Sequence, residues 1–330
     1  MYIITGGAGF IGSVIVCKLN RMGVTDILVV DDLGHGDTFK NLVGLTFSDY
    51  LHKDDFLARI QSETDHFNPA VVIHMGANSS TTETDAEAIM RDNYAYSKAL
   101  CAYAASRDAR FVNASSASTY GDGSHGFDDD PALLDSLRPL NMYAMTKHLF
   151  DLWLRRKGLL SRVASLKFFN VFGPNEYHKG EMRSVVCKAF EKIRDTGRLA
   201  LFKSERPDYP DGGQKRDFVW VGDCADVVWW LVENPGVGGI LNVGTGQART
   251  WNDLAGAVFA AMGRAPAIDY VEMPAKLRGK YQYYTEARLD RLRAVGYAAP
   301  MTSLEDAVAR YVTGYLATEH PYLGWSSASS

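Results

Sequence analysis

Thr5-Gly6-Gly7-Ala8-Gly9-Phe10-Ile11-Gly12 decides the fold. It follows a β-branched run, Tyr2-Ile3-Ile4-Thr5, and opens a helical pattern over Ile11–Met22. Gly6, Gly9 and Gly12 occupy the three slots of G-x-x-G-x-x-G. One glycine makes the tight turn, one lets the backbone approach a pyrophosphate, and one lets helix and strand pack closely. The helix N-terminus then offers free N–H groups and the positive end of its dipole to phosphate. A second strand, Ile27–Val30, leads into Asp31 about 20 residues on, where an acid accepts hydrogen bonds from an adenine ribose. These features predict a bound nicotinamide dinucleotide. Asp32 adds a second negative charge that repels a 2′-phosphate, with Lys40 or Lys53 as candidate counter-charges, so NAD and NADP both stay open.

Outward from this stretch, short β-branched runs alternate with longer helical patterns. Strands are expected at Tyr2–Thr5, Ile27–Val30, Val71–His74, Arg110–Ala114 and Val163–Phe169, with helices such as Ile11–Met22 and Ala86–Ser106 between them. Such alternation gives an α/β fold, a Rossmann doubly wound parallel sheet with helices on both faces. After residue 170 the loops lengthen, and Glu205–Gln214 reads as irregular. The expected division is a dinucleotide-binding domain over 1–170 and a smaller C-terminal α/β substrate lobe over 171–330. Part of 215–245, with Phe218–Leu231 as the candidate, returns to the first sheet. Gly324–Ser330 is expected to fray.

The 330 residues are 46% apolar and 22% charged, with net charge -4. No basic stripe interleaved with aromatics marks a nucleic-acid surface. Cys17, Cys101, Cys187 and Cys224 have no metal-ligand spacing, so no metal is expected. The chain has no basic n-region at its start. Its densest apolar run, Val227–Val232, is far too short to span a bilayer. These features lead us to expect a soluble, cytoplasmic protein with no membrane partner.

Tyr143-Ala144-Met145-Thr146-Lys147 puts Tyr and Lys at i and i+4, which share one face of a helix. The ammonium is expected to lower the phenol pKa and to grip the nicotinamide ribose. The phenol then exchanges a proton while hydride moves. Upstream, a strand runs into Ala114-Ser115-Ser116-Ala117-Ser118, where Ser116 is placed to hydrogen-bond the reacting oxygen. Ser115 and Ser118 are read as turn residues, and His74 as a packed strand residue.

Further segments carry a resemblance: Asp26–Asp31, Gly76-Ala77-Asn78-Ser79-Ser80-Thr81-Thr82-Glu83, Phe169-Asn170-Val171-Phe172-Gly173-Pro174, His178-Lys179-Gly180, Lys215-Arg216-Asp217-Phe218-Val219 and Lys280-Tyr281-Gln282. With these, the chain resembles the extended short-chain dehydrogenase/reductases over almost its whole length. Within that group it is similar to the ADP-heptose 6-epimerases, on the strength of the Ser-Ser-Thr-Thr-Glu and His-Lys-Gly segments.

The resemblance implies that hydride leaves C6 of an ADP-heptose for the cofactor, a carbonyl forms and turns, and the hydride returns to its other face. The product serves lipopolysaccharide core heptose synthesis. Two faces invite two proton shuttles, and Tyr143 matches one and Lys179 the other. Cofactor positions match Gly6, Gly9, Phe10, Ile11, Gly12, Asp31, Asp32, Lys53, Met75, Gly76, Ala77, Asn78, Ser79, Asn93, Tyr143, Lys147, Val171 and Lys179. Substrate positions match Asn170, Glu181, Lys188, Phe202, Lys203, Ser204, Glu205, Arg216 and Tyr281. The fork of Arg216 suits a diphosphate, the alternative being an ion pair with Asp217 or Asp223. The resemblance also implies NADP and a homo-oligomer, a pentamer.

The chain departs from that pattern at Met75, at Asp32 and Thr38 near the adenosine end, at Glu181 and Lys188 near the sugar, and in a longer 205–214 loop. Dehydratases of the group place Thr-Asp-Glu where Ser116-Ala117-Ser118 stand, which sets them aside. A nucleotide-sugar 4-epimerase or a keto-heptose reductase is the next reading. A non-catalytic dinucleotide binder is the remote one, because Tyr143 and Lys147 are both present.

Overall fold

A computed structural model of the chain describes residues 1–80, 84–274 and 281–325. Thr81-Thr82-Glu83, Lys280 and 326–330 lie outside the described residues. The strands are β1 (Tyr2–Thr5), β2 (Ile27–Asp31), β3 (Asp49–His52), β4 (Val71–His74), β5 (Arg110–Ser116), β6 (Val163–Phe168), β7 (Asn170–Phe172), β8 (Leu199–Phe202), β9 (Lys215–Trp220), β10 (Gly239–Val243), β11 (Ala248–Thr250) and β12 (Ile268–Val271). The helices are α1 (Phe10–Arg21), α2 (Lys53–Gln61), α3 (Ala86–Ile89), α4 (Tyr96–Ser106), α5 (Met142–Arg156), α6 (Val185–Thr196), α7 (Val221–Glu233), α8 (Trp251–Ala261), α9 (Asp290–Ala294) and α10 (Leu304–Tyr311).

Seven strands form one sheet in the order β10-β6-β5-β4-β1-β2-β3, every pairing parallel. The central strands are buried along nearly their whole length, which is why they read as continuous apolar runs rather than alternating ones. Successive residues serve opposite layers. Ile4, Val29 and Ile73 pack with α1 and α7, while Ile3, Leu28 and Val72 pack with α2, α4 and α5. Strand order reverses between β1 and β4, and a crevice opens at such a switch point beyond the C-terminal strand ends.

A second core gathers Phe172, Phe190, Leu201, Phe218, Trp220, Val258 and Tyr311 beneath two small sheets, β11-β9-β7 and β12-β8. Of the 215–245 stretch expected to return in part to the large sheet, β10 does so, whereas the candidate Phe218–Leu231 does not. Residues 215–220 pair with β7 and β11 in the small sheet, α7 packs on α1, and β10 completes the large sheet beside β6. Strand β3 was missed because Asp49-Tyr50-Leu51-His52 is a partly exposed edge strand with no β-branched residue. The Ala86–Ser106 pattern is broken by a π-turn at Met90–Ala95.

Gly324 and Trp325 are packed rather than frayed. The Trp325 indole N–H donates to the Lys40 carbonyl at 3.2 Å, and a Cβ on Gly44 would lie 2.0 Å from the Gly324 carbonyl oxygen. Among the described residues no helix is long and apolar enough to cross a membrane.

Candidate active site

The switch-point crevice is a cavity of about 690 Å³. Its floor is the glycine turn. Gly6 has φ +68°, and a Cβ there would meet Gly76 N at 2.4 Å; a Cβ on Gly12 would lie 1.9 Å from the Gly6 carbonyl oxygen. Glycine at both places lets the ends of β1 and β4 close on each other and lets α1 begin directly under the turn. The N-cap of α1 is Gly9, which has no capping side chain, and its first turn has no acidic residue. The opening N–H groups of α1 therefore remain for a ligand's phosphates.

Asp31 is built into this turn. One carboxylate oxygen accepts from the N–H groups of Ala8 at 2.7 Å and Gly9 at 3.1 Å, and the other from Asp32 N–H at 2.8 Å. A carboxylate has about four lone-pair sites, so one remains for a ribose hydroxyl. Burial pushes this carboxyl up and the backbone bonds oppose that shift. Asp32 lines the cavity beside it, 3.7 Å from the His52 imidazole. A glycine cradle, an uncapped helix start and an acid at the second strand together fit a dinucleotide.

Gly6, Gly9, Phe10, Ile11, Gly12, Met75, Gly76, Ala77, Ser79 and Val171 also line the cavity. Asn78 and Asn93 instead brace its wall. Asn78 N–H donates to Asn93 at 2.8 Å, and the Asn93 amide donates to Asn78 O at 2.9 Å and to Thr146 at 3.1 Å. Lys53 stands outside the cavity lining, 3.6 Å from Asp54 and 3.8 Å from Asp92.

Ser116, Tyr143 and Lys147 meet in the same cavity. Asn141 caps α5 by accepting from Ala144 N–H at 2.9 Å, and this sets the helix phase that turns 143 and 147 inward. Ser116 Oγ accepts from both Ser118 N–H at 3.1 Å and Ser118 Oγ at 2.9 Å. Its own proton is thereby left for a third oxygen. Ser118 thus works on Ser116 rather than only making a turn. Ser115 is a strand residue whose hydroxyl donates to Asp151 at 2.7 Å.

The phenol does not follow the expected electrostatics. Burial pushes Tyr143 above its ordinary value, and the opposing influence is its hydrogen bond with Ser116 rather than the lysine. The Lys147 ammonium is itself buried. That burial holds it down to about 8, with Asp151 pulling the other way.

Lys179 and Asn170 line the far wall with His178, Glu176 and Arg183. The Lys179 ammonium lies 5.6 Å from the centre of the Phe10 ring, and burial lowers its pKa against an opposing pull from Glu176. The Asn41 amide donates to the carbonyls of Ala8 at 2.9 Å and Asn175 at 3.0 Å and touches His178 at 3.2 Å, tying this wall to the glycine turn.

The remaining predicted substrate residues do not line the cavity. Lys188 Nζ donates to the Glu181 backbone carbonyl at 3.0 Å. Lys203 pairs with Glu272 at 2.8 Å, and Ser204 and Glu205 are held in the loop through Asp211 and Tyr283. Phe202 meets Tyr281 edge-on.

Arg216 forms no ion pair with Asp217 or Asp223, because Asp217 accepts from Thr245, Gly246 and Ala287, and Asp223 from Thr302. Its guanidinium instead lies over the rings of Tyr281 and Trp251, at 5.2 and 5.8 Å. Trp251 is the link, since it lines the cavity and donates to Tyr281 at 2.9 Å. Sequence reasoning missed Trp251, Arg183 and Glu176. Only Glu176 had a local signal, three residues before Lys179.

The chain belongs to the NAD dependent epimerase/dehydratase family, whose model matches residues 2–244. It is similar to ADP-L-glycero-D-manno-heptose-6-epimerase of Nitratidesulfovibrio vulgaris strain DP4, 56% identical over 323 residues, which are 98% of this chain and 100% of that protein. The crystal structure of ADP-L-glycero-D-manno-heptose-6-epimerase of Helicobacter pylori superposes with a TM-score of 0.78 at 26% identity, covering 95% of each chain. UDP-glucose 4-epimerase of Thermus thermophilus, in complex with NAD, does so with a TM-score of 0.73 at 25% identity, covering 94% of this chain and 97% of that one.

Proposed function

We propose that the chain is an isomerase that inverts C6 of ADP-D-glycero-D-manno-heptose to give the L-glycero epimer, a step of lipopolysaccharide core heptose synthesis. The observation that carries this reading is that two proton-carrying groups from separate elements, Tyr143 on α5 and Lys179 on the 177–182 turn, line one cavity over a dinucleotide cradle. Bound nicotinamide supplies the acceptor and donor of one hydride. Tyr143 and Lys179 share the proton work: one takes the C6 hydroxyl proton as the ketone forms, and after the ketone turns the other protonates the returned alkoxide. Ser116 hydrogen-bonds the reacting oxygen, and Lys147 holds the cofactor ribose. Trp251, which lines the cavity and is backed by Tyr281 and Arg216, marks the side proposed to receive the nucleotide diphosphate. The share of identity with proteins bearing this name supports the substrate.

Incubation with ADP-D-glycero-D-manno-heptose in heavy water is expected to yield the 6-epimer by NMR with no deuterium at C6, because the same hydride returns. Product carrying deuterium at C6 would replace hydride return with a deprotonation route. Turnover of a UDP-hexose in place of the heptose would favour the 4-epimerase reading.

The cofactor in this reading is NAD. Asp31 and Asp32 put two carboxylates at the adenosine end, and the candidate counter-charges are engaged elsewhere, Lys40 with Asp37 at 2.9 Å and Lys53 with Asp54 and Asp92. A 2′-phosphate there meets repulsion that neither of these paired lysines is free to offset. NAD is expected to bind at least about tenfold more tightly than NADP, an energy difference of about 1.4 kcal/mol. Titration of the two cofactors checks this, and a preference for NADP overturns it.

A further inference from the structure

Both lysines of the cavity have a buried carboxylate nearby. Asp151 lies one helical turn beyond Lys147, and Glu176 lies three residues before Lys179 on the cavity wall. Glu176 is 1% exposed, and every contact its carboxylate makes is with a donor. One oxygen accepts from the Ser184 hydroxyl at 2.7 Å, the Tyr311 hydroxyl at 3.0 Å and Gly173 N–H at 3.5 Å; the other accepts from Ser184 N–H. Burial pushes this carboxyl up, and the bonds from Ser184, Tyr311 and Gly173 oppose that shift by favouring the ionised form.

The donors come from three places: the end of β7, the N-cap of α6, and α10. Between the first two runs the Tyr177–Met182 turn, which carries Lys179. The Lys179 N–H donates to the Glu176 carbonyl at 3.0 Å, so both ends of Glu176 hold that turn.

Glu176 is the negative group that acts on Lys179, and Glu181 on the same turn is exposed. Burial and the lysine itself lower the His178 pKa, which leaves the imidazole neutral. The Tyr177 and Tyr311 phenols and the Cys187 thiol are pushed up, by burial first and by Glu176 as well. Arg183 is paired with Glu191 on α6, and α1 contributes the uncharged Phe10 ring.

We propose that Glu176 is the positioning residue of the second proton site: it locks the turn that carries Lys179 and supplies the negative charge that governs how readily that lysine releases its proton. This rests on reading Lys179 as a proton carrier, but its test does not need the heptose.

The experiment is trace acetylation of the full chain with its bound dinucleotide across a pH series, with Lys179 followed by peptide mass spectrometry. In Glu176→Gln a cation loses its carboxylate, so the Lys179 midpoint is expected to fall by about one pH unit. The Lys179-linked limb of the kcat profile moves the same way. Glu176→Asp keeps the charge and restores both. If the glutamine variant does not fold, Tyr311→Phe removes one of the donors that hold the carboxylate ionised and should move the midpoint downwards as well. An unmoved Lys179 midpoint in folded Glu176→Gln, or in Tyr311→Phe where that variant stands in, overturns the proposal. A moved midpoint in an enzyme inert towards ADP-heptose would overturn the substrate and leave the role of Glu176 standing.

Discussion

Tyr143→Phe is expected to lower turnover by about a hundred- to ten-thousandfold while the dinucleotide stays bound. The ring remains as part of the cavity wall, and the glycine turn, Asp31 and Lys147 are untouched. Only the hydroxyl that meets Ser116 is lost. Ser116 cannot replace it. Its oxygen is occupied by two donors from Ser118, and an aliphatic hydroxyl is a far weaker acid than a phenol. The check pairs kcat with the cofactor released on denaturation. Turnover near the wild-type value would remove Tyr143 from the proton transfer, and loss of cofactor would show that the ring was needed for binding instead.

Asp151→Asn is expected to cost about 3–5 kcal/mol of stability, because it strands a buried ammonium. Asp151 and Lys167 are 0% and 1% exposed, with Nζ 3.2 Å from the carboxylate. Ser115 and Ser165 each donate to Asp151 at 2.7 Å, and the Lys167 ammonium lies 4.7 Å from the centre of the Tyr120 ring. An amide cannot carry the charge, and its NH2 would face donors. Adding Lys167→Met should recover most of the loss, since removing both charges together is far cheaper than removing one. Denaturant unfolding of the single and double variants reads this. A single variant as stable as the parent, or a double variant no better than the single, would mean that the pair does not hold this part of the core.

The legible parts of the site were those whose partners are close in sequence. Gly6, Gly9 and Gly12 sit on one turn, and Tyr143 and Lys147 on one helical face, so spacing alone brings each set together. The acid at Asp31 was legible because a strand–helix–strand unit has a nearly constant length. Its own attachment to Ala8 and Gly9 was not.

Contacts that join distant segments left no local mark. Glu176 meets Tyr311 across 135 residues, Asn41 meets Asn175 across 134, and Ser115 meets Asp151 across 36. Burial also changed the chemistry. The phenol of Tyr143 rises although an ammonium was expected to lower it, because a desolvated site disfavours every charge it does not pair.

The linear order of residues determined the parallel sheet, the dinucleotide turn and the tyrosine–lysine pair, because each is a pattern of short-range spacing that chain geometry converts directly into proximity. Tertiary structure alone decided that β10 rather than the 218–231 stretch completes the large sheet, and that Arg216 stacks on aromatic rings instead of pairing with an acid. It also decided that a buried carboxylate stands behind each lysine of the cavity. These outcomes depend on which distant surfaces meet and on how much water their meeting removes, and neither is written in any single segment.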